Sequence, residues 1–154
     1  MRDIIEGTIA AVMKKNGFRR KSNSWYLRTD DTILVVNLQR VWGTCSFINL
    51  AVWLNALEEN TFPKEYQCHI RRRAERLDDP SLHRYWEETV LRRDNTDISD
   101  AERTQKIQWL LEEKALPFLL SCSSVEGIRK LYRAERLEGF WILQVAQKFL
   151  GESE

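Results

Sequence analysis

The chain has 154 residues, 24 of them lysine or arginine and 23 aspartate or glutamate, which gives a formal net charge of +1 with 43% hydrophobic content. Folding at this length should bury roughly 70% of the surface of the unfolded chain, enough for a self-sufficient core, so we predict one domain over residues 1–154. Because the charges nearly cancel, the composition argues against a strongly basic nucleic-acid binder and against an acidic disordered chain.

The N-terminal segment has no unbroken apolar run of signal-peptide length, because Asp3 and Glu6 interrupt it. No window approaches the ~18 consecutive apolar residues of a membrane span. The three cysteines, Cys45, Cys68 and Cys122, are far apart and odd in number, which does not fit a disulfide framework. These features predict a cytoplasmic protein, from a bacterium, that does not associate with a membrane.

Residues 3–16 are predicted to form an amphipathic helix. Asp3, with Glu6 three places on, is typical of an N-terminal cap, and Gly17 suits the left-handed residue that ends a helix. The apolar face consists of residues at helical spacing, namely Ile5, Ile9 and Val12.

The pattern changes to strand-like alternation from Trp25 onward. Residues 32–41 and 47–54 are rich in β-branched and apolar side chains, and short turns at 29–32 and 42–45 separate the segments. We predict a three-stranded antiparallel meander with one face on the first helix and the other partly exposed to water.

The middle of the chain leaves alternatives open. Residues 55–66 are predicted to be a loop, and 67–77 to be either a fourth strand or a helical turn. The Asp-Asp-Pro run at 78–80 ends that segment in either case. Residues 81–98 are compatible with a short helix, with a fifth strand near 86–92, or with both.

The last third returns to helical spacing. Ser99 and Ser123 each stand three residues before a glutamate, which predicts two capping boxes, and Pro117 is expected to end the first of these helices. A last helix is predicted over 138–150, with the apolar stripe Ile142, Val145, Ala146 and Phe149. Whether this helix packs on the core is left open. The chain is thus predicted to be α+β, with an antiparallel sheet of about four to five strands, an N-terminal helix and two to three C-terminal helices.

Five segments occur in an order that resembles a known family. They are GFRRKSNSWY at 17–26, VVNLQR at 35–40, FINLAVW at 47–53, HIRRRAERL at 69–77 and ALPFL at 115–119. Together they resemble the bacterial domain-of-unknown-function family 4304 over about residues 5–132. The resemblance implies an α+β fold; it carries no activity and no catalytic residues, and the helix predicted from residue 138 lies outside it.

No spacing typical of metal ligands or of a catalytic site stands out. Cys68 and His69 are adjacent and His83 is distant, so the paired spacing of zinc ligands is missing. Adjacent strand residues point to opposite faces, which excludes a Cys68–His69 pair if 67–73 is a strand. We therefore expect no metal, no cofactor and no catalytic residue. An enzyme with a site near His69 or His83 is the third and least favoured hypothesis.

Two basic stretches, at residues 14–21 and 69–76, are the clearest local asymmetry. Arginine at this density suits phosphate or carboxylate recognition, because its planar fork makes paired hydrogen bonds. In the competing interpretation, the second stretch is a solvated strand face that pairs with Glu65, Glu75 and Asp78. The chain also has six tryptophans, a residue type favoured at protein interfaces. The candidate binding residues are the turn residue Trp42 and the cluster Arg71, Arg72, Arg73 and Arg76.

These observations favour a non-enzymatic domain that binds another protein. A concrete version is an immunity or antitoxin-type protein that occludes the active site of a bacterial toxin. The alternative is a nucleic-acid-binding module that uses the Arg71–Arg76 cluster with neighbouring aromatic rings, and whose binding weakens steeply with salt. The sequence does not identify the partner or the oligomeric state.

Overall fold

A computed structural model describes residues 3–152 of the chain. Its centre is an antiparallel sheet in which each strand pairs with its neighbour in sequence, in the order β1-β2-β3-β4-β5-β6. The strands are β1 (Arg19–Lys21), β2 (Ser24–Arg28), β3 (Thr32–Val41), β4 (Cys45–Leu54), β5 (Ile70–Arg73) and β6 (Trp141–Ile142). The predicted α+β class is confirmed, with six strands rather than four to five. The additional edge strands have only three and two residues, too few to show an alternating pattern.

Helix α1 (Ile4–Lys15) begins and ends as predicted. The Asp3 carboxylate accepts hydrogen bonds from the backbone N–H groups of Ile5 and Glu6, at 2.9 and 3.4 Å. Gly17 has a φ of +83°, which suits a residue without Cβ. The buried face of α1 contacts helix α3 (Asp100–Leu110) and strand β1.

Strands β3 and β4 form the longest pair, in unbroken register from Thr32↔Leu54 to Val41↔Cys45. Side chains alternate between the two faces of the sheet. One face packs under the helices and includes Leu34, Val36, Leu38, Ile48, Leu50 and Val52. The opposite face carries a smaller apolar cluster that includes Ile33, Val35, Ala51 and Trp53.

The segment after β5 combines the predicted alternatives. Strand β5 ends at Arg73 and passes into 3₁₀ turns at Ala74–Leu77 and Pro80–Leu82. Helix α2 (His83–Tyr85) and a π-helical segment (Trp86–Val90) then follow. The helix predicted within 81–98 is therefore present, while the suggested fifth strand near 86–92 is reduced to one bridge between Arg92 and Cys45.

The expectation that Pro117 ends the helix beginning at Asp100 is wrong. Helix α3 continues through a π-helical segment (Leu111–Ala115) into α4 (Leu116–Ser121). Proline lacks an N–H and its ring collides with the carbonyl four residues earlier in a regular α-helix. The wider turn, closed by the Leu116 N–H bonding to the Leu111 carbonyl, precedes the proline and lets the helix continue.

Two helix boundaries predicted in the C-terminal region differ from the structure. Helix α5 (Val125–Arg133) is capped by Ser124, whose Oγ accepts from the Gly127 N–H at 3.0 Å, and not by Ser123. Ser123 instead donates its hydroxyl to the Leu120 carbonyl. The helix predicted over 138–150 is shorter than expected, because Gly139, with φ +82°, turns the chain into β6 before α6 (Gln144–Gly151).

Helix α6 belongs to the core. Ala146 and Leu150 are fully buried in the main hydrophobic cluster, and the Leu143 N–H bonds to the His69 carbonyl at 2.9 Å. Of the predicted stripe, Ile142, Ala146 and Phe149 pack in or against the main cluster, whereas Val145 is exposed.

Arg103 joins α3 to the segment before it and was not singled out from the sequence. Its side chain is 6% exposed, and its guanidinium donates to the backbone carbonyls of Thr89, Val90, Arg92 and Asn95 at 2.8–3.3 Å. One cation thus satisfies four carbonyls where the π-helical segment ends. The end of a helix is also the negative end of its dipole, which favours a cation there.

Replacing Arg103 by methionine should lower the free energy of unfolding by about 2–4 kcal/mol, because buried carbonyls lose a charged donor. Urea denaturation measures the change as a lower midpoint at constant m-value. The matched control is Arg84→Met, which removes an arginine from an exposed ion pair with Glu88 and should cost under about 1 kcal/mol. Equal losses in the two variants would contradict the role assigned to Arg103.

Candidate functional site

The sheet face turned away from the helices is divided into a covered half and an open half. The covered half is the apolar cluster under the loop between β4 and β5, where Phe62 packs edge-on against Tyr26 at 5.2 Å between ring centroids. The loop is fastened by the Tyr26 hydroxyl, which donates to the Pro63 carbonyl at 3.0 Å, and by Trp53 Nε1, which donates to the Glu58 carbonyl at 2.8 Å. Loop residues therefore complete a second, minor core.

The open half is crossed by one row of polar residues, here called the polar row. Strand register aligns Lys21, Ser24, Asn37, Asn49 and Arg73 across β1 to β5. Neighbouring strands lie about 4.8 Å apart, so the row extends for roughly 19 Å. In the adjoining row, which belongs to the covered half, the central strands carry the apolar residues Tyr26, Val35 and Ala51.

The amide groups of the polar row form a connected chain of hydrogen bonds. Asn37 Nδ2 donates to Ser24 Oγ at 2.9 Å. Asn49 Nδ2 donates to Asn37 Oδ1 at 3.1 Å and to Gln39 Oε1 at 3.0 Å. These bonds hold the three amide side chains in fixed orientations. Asn49 is buried and Asn37 is partly exposed, whereas Gln39 is exposed, so a partner meets a prearranged Gln39 amide.

Three of the four arginines in the 69–76 stretch bind other groups of the protein. Arg71 forms a two-point ion pair with Glu65 at 2.9 and 3.3 Å. Arg72 donates to the carbonyls of Gly139 and Arg76. Arg76 in turn pairs with Glu87 at 2.7 Å. Of the partners named in the competing interpretation, these three arginines use only Glu65, which pairs with Arg71.

Arg73 differs from the others. Its guanidinium carbon lies 3.8 Å from the centroid of the Phe47 ring, and within residues 3–152 its side chain makes no ion pair and no hydrogen bond. A guanidinium that stacks on a ring uses its flat face and keeps the N–H groups at its edge available. Arg73 is therefore the arginine of this cluster with free donors.

The four arginines share one open cavity of about 630 Å³, here called the arginine cavity. Its other lining residues include Gln39, Asn49, Glu65, His83 and Trp141. Four arginines against one glutamate leave the lining with excess positive charge. The structure thus brings together four of the five candidate binding residues.

Trp42 is the fifth candidate and does not line the arginine cavity. It lies at the tip of the β3–β4 hairpin and is 95% exposed. The tip is held in place, because the Arg93 guanidinium donates to the Gly43 carbonyl and the Arg93 N–H bonds to the Thr44 carbonyl at 2.9 Å. Trp42 is thus a fully exposed ring on a fastened turn, five residues and about 16 Å along the hairpin from the Asn37–Asn49 pair.

Neither histidine is placed as a catalytic base beside a cysteine. His69 is buried, its Nδ1 accepts the Leu54 N–H at 2.9 Å, and burial lowers its pKa. His83 has both ring nitrogens within hydrogen-bond distance of neighbours, the Asp78 carbonyl at 2.8 Å and Arg76 at 3.3 Å. Burial raises the pKa of the Cys68 thiol to about 12, which opposes formation of a nucleophilic thiolate.

The described part of the chain has neither a cluster of metal ligands nor a membrane-spanning helix. Between residues 3 and 152, no group of three or more His, Cys, Asp or Glu side chains is arranged to hold a metal ion. Within the same residues, no helix combines the length and the apolar character needed to cross a membrane.

The sequence was compared with known families, curated proteins and solved structures. The model of one family, described as Domain of unknown function (DUF4304), matches residues 9–121, more than half of the chain. The chain belongs to the DUF4304 family. No curated protein and no solved structure matches.

The DUF4304 match covers β1 to β5, which carry the polar row, and ends at the last residue of helix α4. Strand β6 lies beyond it. This strand places Trp141 opposite Arg71, with 5.0 Å between the guanidinium carbon and the ring centroid. One wall of the arginine cavity therefore comes from a part of the chain outside the family match.

Glu75 is the charged residue whose position was least expected from the sequence. Its side chain is fully buried, and neither carboxylate oxygen has a hydrogen-bond partner among the described residues. Burial raises its pKa to about 7; nearby backbone N–H groups and Arg73 offset this in part, while Glu87 adds to it. The predicted pairing of arginines with Glu75 is thus wrong, whereas the pairing with Glu65 is confirmed. Asp78 accepts from Trp86 Nε1 at 2.8 Å.

Glu75 should make the protein less stable as pH rises. The folded state holds the proton to about pH 7, whereas the unfolded chain releases it near its ordinary value of 4.5. Stability is therefore lost between these two values and levels off above them. Glu75→Gln removes this titration. The free energy of unfolding of the variant minus that of the wild type should therefore increase by about 2 kcal/mol between pH 5 and pH 8.

The measurement is urea denaturation of both proteins at the two pH values, with the exposed Glu112→Gln as the matched control. The control should follow the wild type at both pH values. An unchanged difference between Glu75→Gln and the wild type would show that Glu75 does not titrate in this way.

Proposed function

We propose that this DUF4304 protein is a non-enzymatic domain that binds an acidic region of a partner protein on the open half of its sheet. The observation that carries the proposal is Arg73, an arginine with free donors in a cavity whose lining has excess positive charge. Opposite charge on a partner complements such a surface and steers its approach.

Exposed aromatic rings around this surface support protein recognition. Trp141 on the adjoining edge strand is 49% exposed, Tyr66 beside the polar row is 64% exposed, and Trp42 is the most exposed of the three. Tryptophan, tyrosine and arginine are the residues that most often dominate binding energy at protein interfaces. A partner that covers the open half would bury these rings together with Arg73.

A concrete form of the proposal is a cytoplasmic bacterial immunity or antitoxin-type protein that occludes a toxin. An occluding protein acts by presenting a rigid surface, because little conformational freedom is then lost on binding. The fixed amides of the polar row and the fastened hairpin tip of Trp42 have this property.

The proposal is tested by capture from native lysate with four versions of the tagged protein: wild type, Trp42→Ala, Arg73→Gln and, as the control, Arg84→Gln. We expect wild type and control to retain one protein in stoichiometric amount, and Arg73→Gln and Trp42→Ala to retain at least tenfold less. The proposal fails if the wild type is recovered as a clean monomer, or if all four versions retain the same proteins.

A nucleic-acid-binding module is the second candidate. The observation that favours it is Trp141, a partly exposed ring that lies beside Arg71 and could stack on a base. The pairing of Arg71 with Glu65 and of Arg76 with Glu87 counts against it, because a phosphate chain would have to compete with these carboxylates.

Fluorescence anisotropy with a labelled 20-nucleotide oligothymidylate separates the two candidates. We expect no saturable binding at 50 mM salt and micromolar protein. Binding that weakens steeply between 50 and 200 mM salt and is lost in Arg73→Gln would favour the nucleic-acid candidate over the protein-binding one.

A further inference from the structure

We propose that Arg73 and Gln39 form a receptor for a single carboxylate, supplied by an aspartate or glutamate side chain of the partner. This inference rests on the proposed function and names the group that the open half recognises. It follows from the direction of the hydrogen bonds in the polar row and from the setting of Arg73.

One backbone carbonyl sets the direction of the whole amide chain. Asn37 Nδ2 lies 3.3 Å from the Asn23 carbonyl, and a carbonyl oxygen can only accept. Asn37 must therefore turn its own Oδ1 toward Asn49, which donates to it. Asn49 Nδ2 has two hydrogens, and the second goes to Gln39 Oε1.

The chain ends with an outward donor. Because Gln39 Oε1 faces Asn49, the Nε2 group of Gln39 points away from Asn49, and no acceptor within residues 3–152 binds it. The Gln39 side chain is exposed and lines the arginine cavity. Its two amide hydrogens are therefore available to a ligand.

Arg73 supplies the charged donors at the same place. Gln39 pairs directly with Phe47 across β3 and β4, and the Arg73 guanidinium lies over the Phe47 ring. Gln39 is thus the strand partner of the ring residue, the guanidinium lies above the ring, and both side chains line the arginine cavity. A carboxylate, with two oxygens in one plane, suits the planar fork of arginine and can accept from the amide with a remaining lone pair.

The charges around Arg73 favour binding of a carboxylate from outside the protein. Glu65 neutralises Arg71, the next residue along this face of β5. Glu75 is the carboxylate whose charge acts on Arg73 from within the protein, but it is buried and forms no ion pair with it. The charge of Arg73 is therefore not neutralised by an ion pair within the described residues, and it faces the cavity.

The experiment uses the capped pentapeptide Ac-Ala-Ala-Glu-Ala-Ala-NH₂ as the probe and its glutamine counterpart as the uncharged control. Nuclear magnetic resonance detects weak binding through shifts of the Gln39 side-chain NH₂ and the Arg73 Nε–H signals. We expect the glutamate peptide to move both signals saturably and the glutamine peptide to move neither.

Variants identify the groups responsible. Arg73→Gln should weaken peptide binding at least tenfold, and Arg73→Lys should recover only part of it, because lysine keeps the charge and lacks the fork. Gln39→Glu should also abolish binding, since the new carboxylate would occupy Arg73. Lys130→Gln, which changes a cation in an exposed pair with Glu126, should bind like the wild type. The amide spectrum of each variant shows whether it is folded.

Three results would overturn the inference: peptide binding that Arg73→Gln leaves unchanged, equal binding of the glutamine peptide, and inorganic phosphate binding to the same two groups more tightly than the glutamate peptide. Acetate that binds as tightly as the peptide would reassign the receptor to free small carboxylates. A failed peptide titration beside an Arg73-dependent protein capture would reject the receptor and leave the proposed function standing. Peptide binding without any captured protein would reject the proposed function and leave the carboxylate receptor standing.

Discussion

The register of the β3–β4 hairpin is the constraint on which the rest of the structure depends. Ten consecutive residues of each strand pair without a bulge, so the identity of each face is set along the whole length of the sheet. A slip of one residue would move every side chain to the opposite face. It would place Asn37 and Gln39 under the helices and expose Leu38, which the burial of the helical face forbids.

The same register divides the sheet face turned away from the helices into the covered half and the open half. Toward the Thr32–Leu54 end, both faces of the pair are apolar, and the loop that follows β4 covers the outer one. Toward the hairpin tip, the outer positions become Asn37, Gln39 and Asn49, of which Asn49 is buried, Asn37 is partly exposed and Gln39 is exposed. Polar groups that bond to one another lose little by remaining beside water, whereas an apolar patch there would favour aggregation. The open half is thus compatible with a stable free protein and with a partner.

Much of the fold could be predicted from periodicity and capping chemistry. Helix α1, the β2–β4 meander and the Ser99 cap follow from local patterns and are confirmed. Strands β1 and β6 could not be predicted, because their pairing comes from neighbouring strands rather than from their own few residues. The passage of the helix through Pro117 depends on a π-helical turn, for which the sequence gives no signal.

The site was predictable in part. Arg71 to Arg73 lie on one short strand, so their proximity followed from the sequence, but their partners come from distant segments such as Gly139 and Glu65. The amide chain had a usable signal that was overlooked. A hairpin centred on Gly43 pairs Val41 with Cys45, and continuing that pairing places Asn37 opposite Asn49. Burial of Glu75 gave no signal, because its neighbours Ala74 and Arg76 suit a solvated turn equally well.

The central claim is that the open half recognises negative charge through Arg73, and a charge exchange tests it most directly. Wild type and Arg73→Glu are each titrated with Ac-Ala-Ala-Glu-Ala-Ala-NH₂ and with the corresponding lysine peptide. The account predicts that the wild type prefers the glutamate peptide and that Arg73→Glu prefers the lysine peptide. A folded Arg73→Glu protein that keeps the wild-type preference would contradict it.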